Sequence, residues 1–271
     1  MTADVQRRSP PGFLLALGQV RFQLLLLLRS PLGFFLTLVV PLLLLVSLNV
    51  ITPPAAALMP RGQRYAQFLT PAISAFCLLN ACYVTTITSI VLAREEGILK
   101  RLRGTPLPAW TYLAGRCGCA LVTAIVSVGI IIVTGVLFFH VTIVWPAFGY
   151  FAGAAGLGIG CFFLLGVAVT TAIPKTDTAL PAAFGTMLPL AFISDVFFSS
   201  AHAPYWLHNL ASAFPVAPVA RAMEDAFNPA TRSWPMPLTG VLVVLGWSIA
   251  AAAVIALAFR WEPGPVQWGA S

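Results

Sequence analysis

Arg94-Glu95-Glu96-Gly97-Ile98-Leu99-Lys100-Arg101-Leu102-Arg103-Gly104-Thr105-Pro106 is the densest run of charge in a chain that otherwise avoids charge. Six of its first ten residues ionise, in a protein whose charged fraction is 8%. Long apolar segments flank it on both sides. A loop this charged between two membrane spans has no partners in hydrocarbon, so it must stand in water. Its four cations, Arg94, Lys100, Arg101 and Arg103, then decide which side of the membrane that water is on.

The bulk composition agrees with such a setting. Of the 271 residues, 59% are hydrophobic, and the mean hydropathy is +0.92. A soluble domain carries about 25% charged residues. The chain therefore reads as one all-α integral membrane domain over residues 1–271, with little room for a soluble one. The net charge of +7 is an orientation signal. With no soluble basic face, the expected partner is the lipid bilayer and not a nucleic acid. Cys77, Cys82, Cys117, Cys119 and Cys161 all fall in apolar segments. Cys117 and Cys119 are too closely spaced for a zinc pair, so small apolar packing residues are expected, with no metal.

Residues 1–11 read as a disordered polar tail. Arg7-Arg8 before an apolar run resembles a signal peptide, but Arg21 interrupts the run and no small-residue cleavage site follows, so retention is expected. Residues 13–29 read as an interfacial helix held by Arg21 and Arg29, broken at Ser30-Pro31. Spans are expected at about 32–51, 68–93, 112–139, 147–173, 178–199 and 238–259. At about 1.5 Å per residue, twenty residues cover about 30 Å, one hydrocarbon thickness. Pro41 is expected to kink the first span.

Six spans put both termini on one side. Eleven of the 15 lysines and arginines fall on that side, counting the termini, the Arg94 loop and the loop with Lys175. Arg61, Arg64, Arg221 and Arg232 fall on the other. The positive-inside rule makes the first side cytoplasmic. The long outer segment 201–237 is unusually apolar, and Pro204, Pro215, Pro218 and Pro229 cut it into two short helical pieces at about 205–213 and 218–226. Two readings of these pieces stand: a re-entrant pair, or an outer cap packed on the spans.

If residues 94–103 are helical, Glu96 and Lys100 form an i,i+4 pair, and Ile98, Leu99 and Leu102 form an apolar ridge. Thr105-Pro106 ends the element. Such a helix suits docking in the groove of a soluble protein, although an ordinary basic loop that only sets topology reads the same way. In the second span, Ser74, Thr85, Thr88 and Ser89 recur at spacings that share one helical face. That stripe either lines a substrate path or packs between helices, where Ser and Thr are common. Gly149/Gly153 and Gly156/Gly160 read as close-packing surfaces for neighbouring helices.

Two motifs carry a family resemblance. The run Arg94 to Pro106, followed by Leu113-Ala114-Gly115-Arg116, resembles the inner loop of ABC-2 type exporter permeases. Pro189 to Phe198, then Pro204-Tyr205-Trp206-Leu207, Phe214-Pro215 and Arg221, is similar to that family's fifth span, outer helices and proline turn. Asp195 and Pro218 depart from the pattern, Asp195 standing where a small residue is usual.

The resemblance implies a permease subunit of the bacterial inner membrane, nearest the daunorubicin-resistance-like drug exporters. It implies a second permease subunit, identical or not, and a separate cytosolic ATPase carrying the ATP and magnesium. Its coupling helix would be drawn from Arg94, Glu95, Glu96, Gly97, Ile98, Leu99, Lys100, Leu102, Thr105 and Pro106. Phe192, Phe197, Phe198, Trp206 and Pro215 would form an outer gate, the alternative being that the three phenylalanines simply face lipid. A lipid or polysaccharide exporter shares the same frame.

The residues themselves bear on the rivals. No Gly-x-x-x-x-Gly-Lys-Ser/Thr loop is present, so ATP is not expected to bind here in that way. The spans lack central carboxylates or histidines, which disfavours a proton-coupled carrier. No nucleophile–base pair suggests a membrane enzyme, so no catalytic residue is expected.

Overall fold

The computed structural model describes residues 18–21, 24–25, 29, 35–52, 64–98, 109–194, 205–228 and 236–258. Among these the regular structure is helical. We number the helices α1 (Val40–Ile51), α2 (Tyr65–Glu95), α3 (Ala109–Phe139), α4 (Trp145–Val169), α5 (Thr176–Ile193), α6 (Tyr205–Ser212), α7 (Val216–Ala226) and α8 (Leu238–Ala258).

The fold is organised around α2. Every residue from Leu69 to Val84 is buried, because α1, α3, α4, α5 and α7 all pack against it. A helix apolar on all sides is the sequence signature of such enclosure. Leu69, Ile73, Leu78, Ile87 and Ile90 fill this centre, together with Phe162 of α4 and Met187 of α5. By contrast α8 buries only Gly240, Val244 and Ala251 and leaves much of its apolar surface exposed, as lipid contact requires.

α2 is 31 residues long, about 46 Å at about 1.5 Å per residue. That exceeds a hydrocarbon core of about 30 Å, so the helix tilts or projects into water. It therefore overruns the expected 68–93 at both ends. Pro71 lies inside it without ending it. Asn80–Val84 form a π turn, closed by an i→i−5 bond from the Thr85 N–H to the Asn80 carbonyl. A second π turn, Phe35–Val39, leads into α1 just ahead of Pro41. Proline removes one N–H and crowds the carbonyl four residues back, and a widened turn accommodates both. The irregularity expected at Pro41 thus falls at the π turn just before it.

α4 ends at Val169, four residues before the expected boundary at residue 173. α5 runs from Thr176 to Ile193, inside the expected 178–199 at its far end. In the long segment 201–237, α6 and α7 are both present, and α7 begins at Val216, so Pro218 sits in its first turn. First-turn N–H groups have no intrahelical acceptor, so proline costs nothing there. The tail 1–11 lies outside the described residues, as do residues 13–17 of the proposed interfacial helix. Residues 18–21, 24–25 and 29 are helical. A side chain at Gly115 or Gly118 of α3 would overlap Gln19 or Val20, so this N-terminal segment is seated on the start of α3.

Among the described residues four helices, α2, α3, α4 and α8, are long and apolar enough to cross a membrane. The described part of α1 is shorter, and α5 carries Pro181 and Pro189.

Candidate functional site

The Arg94–Glu95 pair closes the last turn of α2 and reaches two other helices. Arg94 is only 6% exposed. Its Nη1 donates to the carbonyls of Thr170 at 2.9 Å and Ile173 at 3.3 Å. Its Nη2 lies 3.4 Å from Thr170 Oγ1 as a third donor contact. These carbonyls follow the last turn of α4, whose final acceptors have no intrahelical partner and carry the negative end of its dipole. A guanidinium is suited to that position, since it offers several donors in one plane. Taking up these carbonyls, with Pro174 close behind, explains why α4 stops early.

Glu95 does the converse. Its Oε2 accepts the backbone N–H of Thr176 at 2.8 Å. Thr176 is the first residue of α5, where unpaired N–H groups and the positive dipole end favour an anion. One cation and one adjacent anion therefore hold both ends of the α4–α5 turn. The sequence expectation treated both residues as part of an outward-facing docking surface. Here Arg94 is turned into the protein, while Glu95 and Glu96 are exposed.

The expected continuous helix over residues 94–103 is interrupted. Gly97 has φ +67°. The Glu96 N–H donates to the Leu92 carbonyl and the Gly97 N–H to the Arg94 carbonyl, which terminates α2 with a left-handed glycine. Helical backbone resumes at exposed Ile98. Glu96 lies just past the last helical residue of α2, so the unbroken helix assumed for an i,i+4 pair does not continue from it. Leu99, Lys100, Leu102, Thr105 and Pro106 lie outside the described residues.

At the same end, Arg116 of α3 donates through Nε to Tyr112 Oη at 3.2 Å and through Nη2 to the Ser89 carbonyl at 3.3 Å. At the opposite end, the amide of Gln67 ties three elements. Its Nε2 donates to the carbonyls of Thr142 (2.8 Å) and Phe227 (3.0 Å), and its Oε1 accepts the Thr142 N–H at 2.9 Å. These two sets of bonds fit helices α2, α3, α4 and α5 that alternate in direction.

The polar stripe does not hold together as one face. The π turn at Asn80–Val84 inserts one residue, so the part of α2 beyond it is rotated by about 100° relative to an unbroken helix. Ser74 is fully buried and donates to its own Thr70 carbonyl. Thr85, Thr88 and Ser89, beyond the π turn, are half-buried. Thr85 Oγ1 lies 3.4 Å from Thr37 Oγ1. Thr88 and Ser89 hydroxyls bond to the preceding turn of the helix.

The glycines of α4 are also redistributed. A Cβ at Gly149, Gly156 or Gly160 would meet nothing within 4 Å among the described residues. The packed glycines are Gly158 and Gly166. A Cβ at Gly166 would lie 3.1 Å from the Tyr83 carbonyl oxygen and 3.2 Å from that of Cys82, where the π turn presses on α4. A Cβ at Gly158 would lie 2.8 Å from Val219 Cγ1 of α7.

α7 is held deeply. Trp247 of α8 donates its Nε1–H to the Ala213 carbonyl at 2.9 Å, and its ring stacks on Phe214 at 5.7 Å between centroids. Trp247 is nine residues past Leu238, about 14 Å along α8 at the helical rise. The turn between α6 and α7 thus lies beside the middle of a span. Phe227 at the far end of α7 meets Phe151 edge-on, nearer the start of α4.

Of the proposed gate residues, Pro215 is buried at this turn, while Phe192 and Trp206 are exposed. Phe197 and Phe198 lie outside the described residues. Gln67, Tyr83 (whose hydroxyl lies 2.8 Å from Thr186 Oγ1) and Trp247 were not picked out from sequence. Each is a polar-tipped side chain in an apolar helix, which is the signal that marks them.

Alternating apolar helices with charged junctions define a multi-pass helical membrane protein. The family model for the ABC-2 type transporter matches residues 19–228, and the chain belongs to that family. This agrees with the resemblance drawn from the two motifs. The chain is also similar to the probable multidrug ABC transporter permease YbhR of Escherichia coli strain K12, at 26% identity over 148 residues. The YbhR of Escherichia coli O157:H7 matches to the same degree. The match takes in 54% of this chain and 39% of each relative's length.

Proposed function

We propose that this chain is the membrane permease subunit of an ATP-driven exporter of a hydrophobic or amphipathic compound, such as a drug or antibiotic. α1 and α5 are the first and fifth of six spans, and both termini lie in the cytoplasm of a bacterial cell. α6 and α7 form a re-entrant pair, a reading supported by the bond from mid-span Trp247 to Ala213. A separate cytosolic ATPase, holding ATP and magnesium, docks on the element that begins at Arg94, and a second permease subunit completes the path. Thr85, Thr88 and Ser89 are the residues proposed to line that path. The chain itself performs no catalysis.

The observation that carries this reading is the junction at Arg94 and Glu95. It joins the charged element to the ends of α4 and α5, so a force applied there reaches helices beyond α2. The test is affinity purification of the tagged chain from its native host, followed by ATP-dependent ethidium uptake into inverted vesicles, which corresponds to export from the cell. An ABC ATPase should co-purify, and Leu99→Asp should abolish both its retention and the export. Retention of the ATPase and of export in Leu99→Asp would reject the docking assignment. Labelling of a Gly97→Cys variant from outside intact cells would reject the topology.

A further inference from the structure

Arg94 and Glu95 lie in the charged element, yet their contacts point away from any cytosolic partner. The guanidinium is buried against Thr170 and Ile173, and the carboxylate is bound to the Thr176 N–H. Immediately after them the chain turns at Gly97 and leaves α2. The α4–α5 turn, residues 170–175, is short and carries Pro174. It is thus gripped at its two ends by consecutive residues of one helix, each matched in sign to the helix dipole it meets.

We infer that Arg94 and Glu95 are positioning residues that lock the end of α2 and the α4–α5 turn into one rigid body. Force received beyond Gly97 is then delivered to α4 and α5 as well as to α2. The inference rests on the coupling reading above and divides the element by role. Residues from Glu96 onward meet the ATPase, and the preceding pair transmits its motion. Because α4 in turn holds α7 at Gly158, the same body reaches the re-entrant pair on the opposite side.

Thr176 allows the contact to be removed cleanly. It is the first residue of α5, and Lys175 before it has φ −125° and ψ 146°. Proline is favoured at that helical position, and the preceding residue already has the extended backbone that proline demands. Thr176→Pro therefore deletes the N–H that Glu95 accepts while keeping the helix start.

The experiment uses the full chain with its ATPase in lipid nanodiscs, with the five native cysteines replaced. Spin labels go on Leu92→Cys and Ala172→Cys, both exposed positions outside the stretch from Glu96 onward. The label-to-label distance is measured without nucleotide and after trapping with ATP and vanadate. In the otherwise unaltered chain the distance should stay constant within about 2 Å, the scale of small helix adjustments.

With Glu95→Met, Thr176→Pro or both, the distance should shift and broaden on trapping, to the same extent in all three, while bound ATPase still hydrolyses ATP. Arg94→Lys should restore part of what Arg94→Met loses, since it keeps the cation at the α4 terminus but not the fork of donors. A merely structural staple would lower the melting temperature without making the distance depend on nucleotide.

A distance in the unaltered chain that changes by about one helical turn, about 5 Å, overturns the inference alone. So does independent addition of the two single effects in the double variant. If no ATPase co-purifies with the unaltered chain, the coupling reading fails and the transmission role falls with it.

Discussion

Gly158→Ala should change the sign of its effect according to the residue at position 219. The added methyl would lie 2.8 Å from Val219 Cγ1 and 3.4 Å from Phe162 Cε2. Carbon atoms in contact settle at about 3.5–4.0 Å, so Val219 must retreat by about 0.7 Å or more. Val219 and Phe162 are buried, and α7 is braced on its other sides by α2 and α8. Overpacking of this kind costs about 1–3 kcal/mol. Against that, alanine is better than glycine inside a helix by about 1 kcal/mol. In the natural background the net effect should be a loss of about 1 kcal/mol.

Val219→Ala removes both γ carbons and leaves a cavity costing about 2 kcal/mol. Adding Gly158→Ala to that background brings no clash. It fills part of the space and keeps the helix gain, so it should stabilise by about 1 kcal/mol. Melting in detergent, followed by monodispersity or intrinsic fluorescence, reads this out at about 2–4 °C per kcal/mol for chains of this size class. The expected pair is a downward shift in the natural background and an upward shift in the Val219→Ala background. Shifts of the same sign in both backgrounds would refute the close approach of α4 and α7.

Three further outcomes test the remaining junctions. Trp247→Phe keeps a ring to stack on Phe214 but loses the N–H bound to Ala213, so it should cost about 1 kcal/mol and increase labelling of a cysteine introduced by Ala213→Cys. Gln67→Leu strands the Thr142 N–H along with two carbonyls and should cost about 1–3 kcal/mol, whereas Gln67→Glu keeps the acceptor and should cost less. Gly97→Ala forces a side chain into the left-handed region and should destabilise the end of α2 by about 1–2 kcal/mol, seen as faster backbone hydrogen exchange over residues 92–97.

The apolar segments were legible because burial in lipid demands long uninterrupted runs, and the charge run at Arg94 was legible because nothing else in the chain resembles it. α3 and α8 begin and end within a few residues of the expected bounds. The family followed from two motifs and holds. Three readings shifted for a shared reason. The stripe from Ser74 to Ser89 assumed an unbroken helix, and the π turn at Asn80–Val84 broke its register without any residue that announces it. The glycine pairs of α4 were chosen by spacing alone, and among the described residues it is Gly158 and Gly166 that meet another helix of the same chain. Arg94 was grouped with its charged neighbours, although its contacts belong to the α4 terminus.

Composition and periodicity report what a segment needs from its surroundings: hydrocarbon for α8, enclosure for α2, water for the charged run. Those needs depend on solvation free energies that act residue by residue, so they can be read from the chain alone. Which side of a helix finds which neighbour depends on a pairing of surfaces far apart in sequence. The turn of α4 that accepts Arg94, the amide that joins Gln67 to Thr142 and Phe227, and the depth at which Trp247 meets Ala213 are all pairings of that kind. They emerged once the helices were packed, because a hydrogen bond or a close contact is a property of two positions in space and not of either residue.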